Sequence, residues 1–311
     1  MHYLTASVLA ALSLSVAAPA AAQSVSPPPV AARPLPTTPA AKPRTILFIG
    51  NSFTQGAHSA VRNYRANVVT DLNGDGYGGV PALFKTFTEE AGLNYAVSLE
   101  TQGGKPLGFH WAERRDKLGG VWDVVILQDL STLDRDAPGD ATGLRKFAPM
   151  FADMFRRANP QVDVELMATW SRADLTYKPG SPWSGKPITA MANDLRAATD
   201  GVKATSPNIN GVLPVGQAWS RAIATGIADP DPYDGTSFGQ VDLWTYDQYH
   251  GSIFGYYIEA LVVFGRVTGI DPTTLGSGER AADQLGISPK VAIQLQAVAR
   301  DELAANPVER K

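Results

Sequence analysis

The sequence is 311 residues long, sets 27 Lys and Arg against 30 Asp and Glu for a net charge of −3, and is 44% apolar. That suits a chain burying a core as one large domain or two modest ones, and its acidic balance excludes nucleic acid as the main partner, because phosphate binding requires a basic face. The absence of Cys excludes a disulfide scaffold, a thiol nucleophile and any thiolate-held metal, and His58, His110 and His250 are the only imidazoles beyond His2.

The first 22 residues contain no acidic residue and no Lys or Arg. An apolar stretch from Leu9 to Val16, followed by Ala20-Ala21-Ala22, has the pattern of a secretory signal peptide with cleavage after Ala22. The stretch is short for a membrane span of ~20 residues. The expectation is therefore export to the periplasm or the exterior, with no stable membrane insertion after cleavage. Residues 23–43 are rich in Pro and Ala and poor in large apolar side chains, which predicts a disordered, extended tether. Neither a further linker nor an internal repeat interrupts 44–311, so this stretch is expected to form one domain.

From Thr45 onward, short β-rich runs alternate with helical ones. Strands are predicted at Thr45–Ile49, Tyr95–Leu99, Asp123–Leu127, Asp163–Met167 and Gly211–Val215. Helices are predicted near 58–70, 80–91, 107–117, 142–158 and 187–204, then at 217–225, 251–267 and 288–304. Continuous apolar strands separated by helices imply a parallel sheet covered on both faces, that is, a three-layer α/β/α sandwich. In such folds ligands sit at the carboxyl ends of the strands.

The first predicted strand runs into Gly50-Asn51-Ser52-Phe53. A Ser at that edge suits a nucleophile, with a fixed hydroxyl and free backbone N–H groups beside it; it equally suits the cap of a following helix. Asp247-Gln248-Tyr249-His250 opens the late apolar helix. A carboxylate three residues before an imidazole can hold its Nδ1–H and leave Nε2 free as a base. His58 and His110 compete for that role, but His58 starts the helix expected after Ser52, and His110 has only Glu113 at close spacing.

Taken together, Gly-Asn-Ser after the first strand and Asp-x-x-His before the late helices resemble the SGNH/GDSL hydrolase superfamily, over about 45–270 and in a form similar to a secreted bacterial subgroup. The resemblance implies a flavodoxin-like SGNH fold with Ser52, Asp247 and His250 as a triad. It also implies an oxyanion hole built from the Ser52 N–H, the N–H of Gly104 (favoured over Gly103) and a carboxamide after the third strand. The family's Gly-x-Asn-Asp is absent, and Leu127-Gln128-Asp129 stands in its place, so Gln128 is the expected third donor.

The implied activity is hydrolysis of short-chain acyl esters, acetyl esters of carbohydrate in particular, through an acyl-enzyme and without any cofactor. The alternatives are a lipid or aryl esterase of the same fold, or an extracytoplasmic glycan-binding protein without turnover. The polar stretch 228–247 disfavours a greasy lid. Trp170 and Trp244 fall in loops at the functional edge and are candidate sugar-binding faces, or core residues. Asp71, Asn73 and Asp75, with Gly76, match the first half of a calcium loop, although its twelfth position would be Ala82 instead of Glu. The same residues suit an ordinary polar turn.

Overall fold

The computed structural model describes residues 42–307, so the signal-peptide expectation and nearly all of the tether lie outside the described residues. Six strands, β1 (Arg44–Gly50), β2 (Thr70–Asp71), β3 (Tyr95–Thr101), β4 (Val124–Leu127), β5 (Asp163–Met167) and β6 (Gly211–Leu213), form one sheet. Their order is β2-β3-β1-β4-β5-β6, and every neighbouring pair is parallel. The helices are α1 (Gly79–Glu90), α2 (Leu107–Glu113), α3 (Arg115–Leu118), α4 (Thr142–Ala158), α5 (Ala173–Tyr177), α6 (Thr189–Thr205), α7 (Val215–Ala224), α8 (Ile253–Thr268), α9 (Arg280–Gln284) and α10 (Pro289–Ala305).

The two-residue period of a strand divides the core in two. In β1, Ile46 and Phe48 face the layer containing α1, α7, α8 and α10, whereas Leu47 and Ile49 face the layer of α2, α4 and α6. Strand β4 repeats this, with Val124 and Ile126 on the first side and Val125 and Leu127 on the second. Because both faces are covered, the strands read as unbroken apolar runs. Helix α8 is mostly apolar and largely buried, which fits its central place between α1, α7 and α10. Ser252 caps its first turn by accepting from the Phe254 and Gly255 N–H groups, and Gly269 ends it at φ 73°.

The predicted helix at 58–70 is not formed. Turns and two short 3₁₀ segments, Ala60–Asn63 and Ala66–Val68, replace it and lead into β2. Gly56, His58 and Arg65 have φ of 69°, 61° and 40°, and each left-handed residue interrupts a right-handed helix. The predicted 107–117 helix divides at Arg114, whose φ is −128°. The last strand stops at Leu213, before Pro214, which cannot donate to a ladder. Strand β2 and helices α5 and α9, two to five residues long, are too short to leave a periodic signal.

With β3 and β4 on opposite sides of β1, the chain reverses its direction across the sheet there. Open parallel sheets hold their ligands at that switch point, outside the carboxyl ends of the strands. The loops after β1, β3 and β4 meet at this place.

Candidate active site

Ser52 follows β1 by two residues, and Gly50 is dictated by packing. A methyl group on it would collide with Thr54 Oγ1 and Gln128 Oε1. The loop is wound by i to i+4 and i+5 bonds, Gln55 N to Asn51 O at 3.0 Å and Ala57 N to Ser52 O at 3.0 Å. No α-helix starts at Ser52, so the expected helix N-terminus is replaced by turns.

His250 comes from the other end of the sequence. Thr245 N donates to His250 O at 2.9 Å and Gln248 N to Thr245 O at 2.9 Å, closing a tight turn. Within it Gln248 takes φ 62°, a conformation costly for a residue with a side chain. Asp247 Oδ1 accepts from the N–H groups of Tyr249 (3.1 Å) and His250 (3.0 Å) and from Thr245 Oγ1 (2.9 Å). Its Oδ2 lies 2.5 Å from His250 Nδ1, and His250 Nε2 lies 2.9 Å from Ser52 Oγ. A carboxylate can only accept, so the imidazole proton belongs on Nδ1, and Nε2 accepts from the serine hydroxyl.

Burial alone would raise the Asp247 carboxyl, but the hydrogen bonds from the His250 ring and from the backbone of His250 and Tyr249 outweigh it and hold it at about 2. Burial lowers the pKa of His250 below its ordinary 6.5, against the pull of Asp247 and with a further push from His58 and Arg172. The resting imidazole is therefore a neutral base beside a fixed anion.

The β3 loop is pinned from every side. Gln102 N donates to Gly50 O (3.1 Å) and Lys105 N to Gln102 O (3.1 Å). Asn51 Nδ2 donates to Lys105 O (3.2 Å), Arg135 Nη2 to Gly104 O (2.7 Å), and Leu107 N to Asp129 Oδ1 (2.9 Å). Gly104 takes φ 67°, as only glycine does without strain. Among the described residues, the Ser52 and Gly104 N–H groups donate to no protein acceptor.

Gln128 departs from expectation. It is fully buried, and both ends of its carboxamide are committed. Oε1 accepts from Asn51 N (2.9 Å) and Thr54 Oγ1 (3.1 Å), and Nε2 donates to Asp129 O. The longer side chain folds back beneath the β1 loop and ties it down. Asn51 and Asp129 were not picked out by the sequence. Asn51 links three loops, since Nδ2 also donates to Asp129 O at 3.2 Å and Oδ1 accepts from Phe53 N at 3.2 Å. Burial pushes the Asp129 carboxyl up to about 6, against the hydrogen bonds from Leu107 N and Leu130 N.

The two tryptophans are also corrected. Trp170 and Trp244 are buried, and with Phe53 and Trp219 they form an aromatic pile under the site. Phe53 to Trp170 and Trp170 to Trp219 are stacked at 4.3 Å, and Trp244 meets Trp219 edge-on at 5.4 Å. Trp170 Nε1 donates to Tyr249 O at 3.0 Å and Trp244 Nε1 to Ser171 O at 3.0 Å. Each indole satisfies its polar edge inside the protein and leaves no face for a sugar. They are instead the floor on which the Tyr249-His250 segment rests. Arg172 makes a two-pronged pair with Asp174 (2.6 and 3.0 Å) and lies 4.0 Å over the Tyr249 ring.

The calcium-loop pattern closes on itself. Asp71 Oδ1 accepts from Asn73 N (2.9 Å) and Oδ2 from Tyr77 N (3.2 Å), while Lys117 Nζ donates to Asn73 Oδ1 at 2.9 Å. An ammonium on one would-be ligand oxygen and backbone donors on another make a turn in place of a cation cage. His110 is packed against Glu100, both wholly buried. His58, by contrast, stands over the site: its ring is 4.5 Å from that of His250. Among the described residues, the group of side chains able to share a metal ion is His58, Asp247 and His250.

A parallel sheet in this order, covered by helices on both faces, is an α/β sandwich consistent with the fold of SGNH hydrolases. Two solved structures share it. A DUF4886 family protein from Bacteroides uniformis ATCC 8492 matches with TM-score 0.55 and 16% identity, over 86% of this chain and 98% of that one. A candidate GDSL-like lipase from Parabacteroides merdae ATCC 43184 matches with TM-score 0.52 and 16% identity, over 73% of this chain and 96% of that one. No family model and no curated protein matches the sequence.

Proposed function

We propose that the chain is a serine esterase that hydrolyses short-chain acyl esters, with acetylated carbohydrate as the substrate class, and that it acts after export. The observation carrying this reading is the unbroken relay from Ser52 Oγ to His250 Nε2 at 2.9 Å and from His250 Nδ1 to Asp247 Oδ2 at 2.5 Å.

His250 takes the Ser52 proton as Oγ attacks the ester carbonyl, and the electron pair of the C=O moves onto oxygen. Asp247 holds the imidazolium that forms. The N–H groups of Ser52 and Gly104 face the oxyanion, and Arg135 and Asn51 hold the Gly104–Lys105 segment still while charge develops. Collapse expels the alcohol, which leaves with the proton from His250. Water then repeats the sequence on the acyl-enzyme. In this mechanism the oxyanion rests on two backbone donors. The carbohydrate preference draws on the polar stretch 228–247 and on expected export, and the short acyl chain on the resemblance to the family.

The test uses residues 23–311 and its Ser52→Ala variant on p-nitrophenyl acetate and octanoate, then on acetylated and deacetylated xylan. The expected result is rapid acetate hydrolysis, slow octanoate hydrolysis, acetate release from the acetylated polymer, and loss of all three in the variant. Equal rates in both proteins would remove Ser52 as nucleophile, and a preference for octanoate would move the substrate to lipid.

A further inference from the structure

We propose that His58, Asp247 and His250 together form a binding site for a divalent zinc ion, and that occupancy of this site switches the serine off. The inhibitory half of the proposal rests on the Ser52 mechanism; the binding half does not.

Two imidazoles and a carboxylate are an established donor set for Zn²⁺, with remaining positions left to water. One ligand atom from each of the three residues lies within 4.8 Å of the others. His58 Nε2 is 3.9 Å from Asp247 Oδ2, and the same Oδ2 is 2.5 Å from His250 Nδ1. Asp247 is thus shared between two imidazoles whose rings are 4.5 Å apart.

His58 is oriented for the purpose. Its Nδ1 lies 2.6 Å from Tyr246 Oη, so a proton on Nδ1 can be given to the phenol oxygen and the Nε2 lone pair faces Asp247. A second partner that fixes the tautomer in this way is the usual support of a metal-bound histidine. The ion has a way in, since the His58 side chain is 41% exposed. The guanidinium of Arg172, whose charge acts on His250, is already held by Asp174. One adjustment is needed. Two atoms each ~2.0–2.2 Å from zinc sit ~3 Å or more apart, so Asp247 and His250 must separate by about half an ångström.

The consequence for His250 follows from the imidazole itself. A neutral ring has one N–H and one lone pair. If the Nδ1 lone pair binds the ion, the ring proton must move to Nε2, which then faces Ser52 as a donor. The base has lost the lone pair that would accept the serine proton. The ring is not oxidised, and removing the ion restores the original tautomer.

The experiment separates binding from inhibition. In full-length Ser52→Ala protein, zinc is titrated by competition against a chromophoric chelator, with and without His58→Gln. One ion per chain is expected, held at least about tenfold more weakly when His58 is replaced. In parallel, the protein with Ser52 intact and its His58→Gln variant are assayed on p-nitrophenyl acetate across a zinc series, each normalised to its own rate in chelator. Reversible inhibition is expected, with the half-inhibiting zinc concentration at least about tenfold higher for His58→Gln. Active protein that neither binds zinc nor is inhibited by it overturns the proposal, as does binding or inhibition indifferent to His58. Zinc binding through His58 in a protein with no esterase activity would leave the site standing and overturn the enzymatic reading instead.

Discussion

Among the described residues, two histidines are hydrogen-bonded to a carboxylate through Nδ1, and the two pairs have opposite fates. His250 and Asp247 sit in a turn at the carboxyl edge of the sheet, whereas His110 on α2 and Glu100 on β3 are sealed beneath the neighbouring loop. Each ring is oriented through Nδ1 by an acid. What differs is the other nitrogen: His250 Nε2 meets Ser52 Oγ, while the buried His110 Nε2 has no hydrogen-bond partner among the described residues. The two pairs share their geometry at Nδ1, and of the two only that of His250 has a serine hydroxyl set against its other nitrogen.

The sharpest way to break this contrast is to remove the partner. Ser52→Ala or His250→Ala should lower kcat/KM on p-nitrophenyl acetate by about 10⁴- to 10⁶-fold, while His110→Leu, assayed per folded molecule, should retain turnover. Comparable losses in the two histidine variants would erase the distinction. Asp247→Asn should cost about 10³- to 10⁴-fold, because the amide permits the wrong imidazole tautomer; steady-state kinetics would detect a smaller loss as evidence that the carboxylate is dispensable.

The buried pair should answer in stability instead of rate. Glu100→Ala strands His110 in a dry interior and should cost about 3–5 kcal/mol in denaturant unfolding. Gln128→Ala should follow with about 1–3 kcal/mol, since it leaves Asn51 N without its acceptor. A large fall in kcat with an unaltered unfolding midpoint would return Gln128 to the oxyanion.

The smallest effect is on pH dependence. The base must be neutral, and burial lowers His250 below 6.5. As pH rises, activity should climb through a midpoint below 6.5 and then level off. A kcat/KM profile with its acid limb at or above 6.5 would contradict the buried, neutral imidazole.

Much of the layout was legible in the chain. Apolar runs such as Val124–Leu127 announce strands buried on both faces, and the helical stretch at 142–158 is found where its period places it. The 58–70 segment misled because its apolar spacing is helical while His58 and Arg65 adopt left-handed conformations and reach Tyr246, and Thr86 and Glu89, respectively. Trp170 and Trp244 misled for a related reason: a loop address predicts exposure, but the indoles fold inward onto Phe53 and Trp219.

From sequence alone came most of the elements and their parallel arrangement, because hydrophobic period is a local property, and a family resemblance singled out Ser52, Asp247 and His250 as candidates. Only the tertiary structure decided which groups meet. Ser52 and His250 are 198 positions apart, Gln128 spends its amide 77 positions away under Asn51, and His58 comes to stand over Asp247. Such contacts depend on the order in which the strands enter the sheet and on angles within the loops. A side chain one methylene longer, or one residue at positive φ, is enough to turn a donor inward or bring a second imidazole to the site.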